Sequence, residues 1–198
     1  MGAIFSSLGR TVAAGVALLL VIIGLVAALG ATTMDVSGHA WAAFFVRWLH
    51  VLCAVMWVGL LWYFNFVQIP SMPKIPDAEK PAITKVIAPA ALFWFRHAAL
   101  WTVITGLTLA AMIGHIGALG TFARPHTAIA IGMWIALIMA FNVWFIIWPS
   151  QQKALGLVAV EPEAKAKAAR IAGLTSRFNT MLSIPMLFCM VAQQNGGL

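Results

Sequence analysis

Long apolar runs are the feature that most constrains this chain. Hydrophobic residues make up 63% of its 198 positions and charged residues only 9%. A helix needs roughly 20 apolar residues to cross the hydrocarbon of a bilayer, where only helices and closed barrels satisfy the backbone. We therefore predict an all-α integral membrane protein, a single domain over residues 1–198 that forms a bundle of about five transmembrane helices. The predicted spans are residues 11–30, 41–67, 92–116, 127–148 and 178–192.

The basic residues of the loops predict the orientation of this bundle. Most of them fall in the N-terminal segment and in two alternate connections: Arg10; Lys74, Lys80 and Lys85; Lys153, Lys165, Lys167, Arg170 and Arg177. Loops of this composition face the cytoplasm. We therefore predict a multi-pass protein of the bacterial inner (plasma) membrane, with its N-terminus cytoplasmic and its C-terminus periplasmic.

Three further expectations follow from the same charges and apolar runs. The first apolar run is longer than the apolar core of a signal peptide, so we expect this helix to remain uncleaved. Residues 161–172 begin acidic and end basic, which predicts an amphipathic helix on the cytoplasmic surface. Topology accounts for the net charge of +7, so the expected partner is the lipid bilayer, and no nucleic acid is expected.

The two cysteines do not indicate redox or covalent cofactor chemistry. Cys53 and Cys189 both lie inside apolar runs, and the sequence contains no CxxC and no CxxCH. A disulfide framework and a covalently attached c-type haem are therefore not expected. Packing is the default role of both thiols.

Histidines cluster at one predicted face and indicate a cofactor. Four of the five are at or near the predicted periplasmic side: His39, His50, His115 and His126. A buried b-type haem takes imidazole ligands from different helices, and an ionisable side chain at membrane depth indicates function. His50 is the strongest candidate ligand to the iron, with His115 or His126 as the second, and the sequence does not choose between these two.

Two residues near His50 are candidates for further contacts with a macrocycle. Arg47 lies one helical turn towards the periplasm, where its guanidinium is placed to pair with a haem propionate. Trp57 is one heptad further along the helix, and it either flanks the macrocycle or fills the bundle. Alternative roles for the histidines are hydrogen bonding at the interface and a copper or zinc site, although the usual ligand spacing for such metals is missing.

A second group of polar residues falls at the predicted cytoplasmic side. Its members come from four predicted spans: Asn65, Gln68, Arg96, His97, Asn142, Arg177 and Asn179. Amides in lipid need partners, and interhelical hydrogen bonds that fix the packing are one interpretation. The alternatives are a second haem on His97, or a pocket for a quinone or a small polar substrate lined in part by Trp94, Trp144 and Trp148.

Several polar-aromatic strings in this chain resemble one known family. They are RWLH (47–50), WVG (57–59), YFNF (63–66), FWFR (93–96), NVWFIIWP (142–149) with Gln151, SRFNT (176–180) and SIPM (183–186). In the same order, these strings resemble the membrane domain of bacterial membrane-bound urate oxidases (urate hydroxylases), over roughly residues 47–190.

The resemblance implies an oxidoreductase module that oxidises urate and passes electrons to a c-type cytochrome, which in the family often follows the membrane domain. The sequence contains no CxxCH, so we expect that acceptor to be absent or to be a separate polypeptide. The leading hypothesis is a membrane redox module that binds haem b and carries electrons between a small urate-like substrate or quinol and a periplasmic cytochrome c. The alternative is a non-catalytic accessory subunit of a larger respiratory or oxidase complex.

A small transporter or channel is the third hypothesis and has the least support. Proton and cation pathways through membranes commonly use intramembrane carboxylates. The five acidic residues all fall outside the predicted spans, in the connections between them: Asp35, Asp77, Glu79, Glu161 and Glu163.

Overall fold

The fold is helical throughout the described part of the chain. The computed structural model describes residues 2–30, 35, 37–122 and 124–195, with 85% helix and no strand among them. We label the five long helices α1 (Leu8–Ala28), α2 (His39–Lys74), α3 (Lys80–Met112), α4 (Thr127–Ala154) and α5 (Pro162–Asn195). Two single turns, Gly2–Phe5 and Ala118–Thr121, complete the helical structure.

The chain divides into two compact units, Met1–Ala42 and Ala43–Leu198. The first unit contains α1, which is 21 residues long and in which no residue is buried. The second contains nearly all of α2 together with α3, α4 and α5. The candidate site lies in this second unit.

Four of the helices are long and apolar enough to cross a membrane, namely α1 to α4. The prediction of an all-α membrane-type fold is confirmed at this level, and the orientation of the termini stays a prediction. The fifth predicted span and the predicted amphipathic helix are joined in α5, a single 34-residue helix. Basic residues towards its start and three amides at its end make α5 less apolar than the other long helices.

The connection between α2 and α3 is much shorter than predicted. Helix α2 continues to Lys74 and α3 begins at Lys80, so the chain turns within a few residues. Pro70 and Pro73 lie in α2 and Pro81 lies in α3, so most prolines of this segment are within the helices rather than in the connection. Proline removes a backbone donor and clashes with the carbonyl four residues earlier.

Wider turns accommodate three prolines of the long helices. A π-helical segment precedes each one: Tyr63–Gln68 before Pro70, Ile83–Ile87 before Pro89 and Asn142–Ile147 before Pro149. The i→i+5 spacing of a π turn changes which carbonyl faces the proline ring, so the helix continues past it. Asn65, Asn142 and Trp144, all predicted site residues, lie on these π turns.

The core of the second unit joins α2, α3, α4 and α5. Trp57 and Leu61 of α2, Phe95 of α3 and Met139 of α4 are all at most 2% exposed. Phe64 and Phe95 meet edge to face with ring centroids 5.6 Å apart, which joins α2 to α3. Helices α4 and α5 approach closely at Gly132. A Cβ on this residue would lie only 3.1 Å from Cβ of Cys189. Cys189 is buried, in agreement with the packing role expected for it.

Candidate functional site

A cavity of about 680 Å³ runs between α2, α3, α4 and α5. Its lining includes Arg47, His50 and His115 at one end, which we call the histidine end, and Trp62 and Met186 at the other. Most of the wall between them is aliphatic. The volume is within the usual range for small-molecule and cofactor sites, which combine apolar walls with a few polar groups.

His50 is held in one orientation on the cavity wall. Its Nδ1 lies 2.9 Å from the carbonyl oxygen of Thr102 and 3.3 Å from Oγ1 of Thr105, both on α3. A carbonyl oxygen can only accept a hydrogen bond, so Nδ1 carries the proton and donates a hydrogen bond to the carbonyl of Thr102. Nε2 then keeps its lone pair, and it makes no hydrogen bond within the described residues. Histidines that ligate metals are commonly oriented in this way, by a bond from the other ring nitrogen.

Gly106 gives the His50 ring its place against α3. A Cβ at this position would lie 2.8 Å from Cε1 and 3.1 Å from Nδ1 of His50. Real Cβ contacts essentially never come this close, so only glycine admits the ring here without a shift. The imidazole and the backbone of α3 are therefore in direct contact.

His115 and His126 lie beside each other at the histidine end. Their ring centroids are 4.4 Å apart with planes tilted by 45°. His115 was predicted to end the third span, but α3 ends at Met112 because Gly114 takes a positive φ of 77° that terminates the helix. His115 lines the cavity and His126 does not. Burial, and then the proximity of His126 and Arg47, lower the pKa of His115 below its ordinary value.

Two buried nitrogens near the cavity have no hydrogen-bond partner within the described residues. They are Nε of Arg47 and the indole Nε1 of Trp57. Both side chains line the cavity, and Trp57 is fully buried. Buried donors are normally satisfied, so these two nitrogens are exceptions on the cavity wall.

The donors at this site fit a haem better than a metal ion held by protein alone. Within the described residues, no three histidine, cysteine or acidic side chains converge as a metal site would require. A haem needs only an axial ligand, an apolar slot and contacts for its propionates. His50, the cavity and Arg47 correspond to these three needs.

At the other end of these helices, which we call the amide end, hydrogen bonds join α5 to α2 and α4. Asn142 Nδ2 donates to Oδ1 of Asn179 (2.8 Å), and Asn179 Nδ2 donates to the carbonyl of Met139 (2.9 Å). Asn65 Nδ2 donates to Oγ of Ser176 (2.7 Å). These contacts are the interhelical bonds that the sequence left as one alternative for the polar group.

Other predicted residues of the amide end are grouped by aromatic contacts. His97 Nδ1 lies 2.7 Å from the carbonyl of Phe93, and its ring meets Trp144 edge on at 5.8 Å. The guanidinium of Arg96 lies 3.9 Å from the ring centroid of Trp148, a cation–π distance. Arg177 is exposed. The side-chain oxygens of Asn65 and Gln68 and the indole nitrogen of Trp144 are buried and unpaired within the described residues. A second haem or a substrate pocket here stays a prediction.

Sequence reasoning missed the residues of α3 that position His50. Thr102, Thr105 and Gly106 form a small, polar patch within an apolar helix, TVITG at 102–106. Small residues and threonines are enriched where membrane helices approach closely. That pattern was available to indicate a close contact, but not which side chain would fill it.

These features define an all-helical protein with four candidate membrane spans and an apolar cavity that presents one oriented imidazole. A family profile described as urate oxidase N-terminal matches residues 112–196. This match covers α4, all of α5 and the segment that contains His115 and His126, and it confirms the family resemblance there. Over these residues the chain is similar to that family, and four of its described helices are long and apolar enough to cross a membrane. No curated protein and no solved structure matches it.

Proposed function

We propose that this chain is a membrane redox module that binds one b-type haem in the cavity, with Nε2 of His50 as an axial ligand. The electrons pass between a small substrate, urate-like or a quinol, and a c-type cytochrome at the periplasmic side. The family resemblance supports the reaction class and the partner. The cavity supports the position of the cofactor.

The observation that carries the proposal is the orientation of His50. The Thr102 carbonyl fixes the tautomer, Gly106 fixes the ring plane, and the free nitrogen belongs to a residue of the cavity wall. This orientation leaves Nε2 without a hydrogen bond within the described residues, so this nitrogen is available as a ligand. The bond to Thr102 also makes the imidazole a better ligand, since it adds electron density to the ring.

A haem in this cavity would supply reversible one-electron transfer at its iron. The aliphatic walls exclude water and lower the local dielectric, and the neutral imidazole of His50 adds no charge to the site. Trp57 lies one heptad from His50 on the same wall, where its indole limits the movement of a flat ligand. Arg47 supplies fixed positive charge at the histidine end. The prediction of His115 as second axial ligand stays open, and His115 is the only one of the two candidates that reaches the wall.

The experiment is a reduced-minus-oxidised visible spectrum of the detergent-purified chain, supplied with haem during expression. We expect a b-type α-band that is lost in His50→Ala and retained in Thr108→Ala. Thr108 is the matched control because it is exposed on α3 and bonds only to the carbonyl of Ile104 in its own helix.

A rescue experiment separates ligation from folding. In His50→Gly the imidazole is removed but the slot against Gly106 remains, so added free imidazole is expected to restore the band. A featureless spectrum from folded wild-type protein would overturn the proposal. The accessory-subunit hypothesis, in which the chain has no cofactor of its own, would then be preferred.

A further inference from the structure

Arg47 and two histidines collect at the histidine end of the cavity, and the described part of the second unit places no acidic side chain beside them. Arg47 comes from α2, His115 follows α3, and His126 precedes α4, with the two imidazole centroids 4.4 Å apart. The four carboxylates of the second unit fall at positions 77, 79, 161 and 163, in or beside the connections at the amide end. This end therefore has a positive potential that no side chain of the second unit neutralises.

Two members of this cluster also have buried nitrogens with no partner within the described residues. They are Nε of Arg47 and Nδ1 of His126. A buried donor that stays unsatisfied is costly, and more so when it is charged. A carboxylate accepts up to four hydrogen bonds and matches the planar guanidinium, so it is the anion that suits the Arg47 side chain on the cavity wall.

Helix α5 fixes the segment that carries His126. Gln193 accepts a hydrogen bond at Oε1 from the backbone N–H of Ile129 (3.2 Å) and donates from Nε2 to the carbonyl of Pro125 (3.0 Å). Gln193 also lines the cavity. The residues on both sides of His126 are therefore attached to the cavity wall, which keeps the two imidazoles together.

We propose that Arg47, His115 and His126 form an anion site that binds the carboxylate of an amphiphile whose apolar part fills the cavity. One source of this carboxylate is a propionate of the haem, and that version rests on the proposed function. The other source is a separate long-chain carboxylic acid, which does not require haem. In both, the cluster recognises the same group.

The groups that face this site are basic or neutral. They are Arg47 from α2, His126 ahead of α4, and the neutral amides of residues 193–195 from α5, with exposed Arg124 on the same segment as His126. A carboxylate bound here therefore meets no acidic side chain among the described residues of the second unit.

The experiment compares acids with their esters on the full-length chain in nanodiscs of zwitterionic lipid. The first pair is haem b and its dimethyl ester, and the second is a fluorescent long-chain fatty acid and its methyl ester. At pH 6 we expect at least one acid to bind about tenfold more tightly than its ester, the effect of one charge-assisted hydrogen bond. Arg47→Gln should remove this preference and Arg170→Gln, an exposed charge on α5, should not.

Each outcome has a defined meaning. A preference in the haem pair alone identifies the propionate, and a preference in the fatty-acid pair alone identifies a separate acid. Equal binding of acid and ester in both pairs would overturn the anion site, as would an unchanged preference in Arg47→Gln. If haem does not bind at all, the fatty-acid pair still tests the site, so the failure of one proposal is distinct from the failure of the other.

Discussion

Gly106 and His50 form a steric pair in which the size of one residue sets the position of the other. A Cβ on Gly106 would lie 2.8 Å from Cε1 of the imidazole, and the same ring is bonded to the Thr102 carbonyl one turn earlier on α3. The imidazole is therefore positioned by its neighbour helix rather than by its own. Ligation by His50 consequently depends on residues of α3 that touch no cofactor.

The first prediction concerns Gly106→Ala. The added methyl group forces the imidazole away from α3, so we expect a lower haem-to-protein ratio and a loss of stability of about 1–3 kcal/mol, as for other overpacked sites. The measurement is haem content together with unfolding in denaturing detergent. Thr108→Ala on the same helix is the control. Unchanged haem content and stability in Gly106→Ala would show that the ring is free to move.

The second prediction concerns His97→Ala and the number of haems. His97 does not line the cavity, and its Nδ1 is occupied by the carbonyl of Phe93. We expect the variant to keep the full b-type band of the wild type. Quantified haem per chain, measured beside His50→Ala, is the readout. A loss of about half the absorbance would instead point to a second haem at the amide end, as the sequence allowed.

The third prediction concerns the bond between Asn142 and Asn179. Asn142→Leu leaves Oδ1 of the fully buried Asn179 without its donor, so we expect a destabilisation of about 1–3 kcal/mol. Asn179→Leu and the double variant complete a cycle. Because the two side chains bond to each other, the double variant should lose less than the sum of the single losses.

Haem absorbance and turnover in Asn142→Leu separate the two interpretations of the amide end. A packing role predicts lower stability and activity that follows the amount of folded protein. A substrate pocket predicts normal stability, an intact haem band and no turnover. Additive stability losses in the cycle would contradict direct coupling between the two amides.

The fourth prediction concerns the close approach of α4 and α5. A Cβ on Gly132 would lie 3.1 Å from Cβ of Cys189, so Gly132→Val should destabilise the unit by about 1–3 kcal/mol. Adding Cys189→Gly should recover part of that loss. Gly173→Val is the matched control, because nothing lies within 4 Å of a Cβ there. Equal effects of the two valines would mean that helix propensity, not crowding, sets the cost.

Hydropathy alone predicted the membrane-type fold, because bilayer thickness sets a length that the sequence must match. It placed the first span within a few residues of Leu8–Ala28. The ends of the other spans were less accurate. The second span was predicted to end at residue 67, whereas the π turn before Pro70 lets α2 continue to Lys74. A single apolar run also cannot show that α5 extends back to Pro162, since its first half is polar and its continuity depends on packing against α4.

The candidate site was predictable only in part. His50 was selected for its depth in an apolar helix, and the structure places it on a cavity wall with Arg47, Trp57 and His115. The choice between His115 and His126 depended on the positive φ of Gly114 and on the course of the following segment, which spacing along the chain does not reveal. Thr102 and Gly106 were missed because a contact between helices joins residues more than 50 positions apart.

The π turns before the prolines affect how chains of this kind can change. A π turn holds about one residue more than an α-helical turn, so the side chains beyond it are rotated by about 100° relative to a regular helix. Loss of one residue from Asn142–Ile147 would rotate the rest of α4 back and present a different set of side chains to α5. A one-residue gap before Pro70, Pro89 or Pro149 in a related chain would therefore mark an altered interior behind an unchanged hydropathy profile.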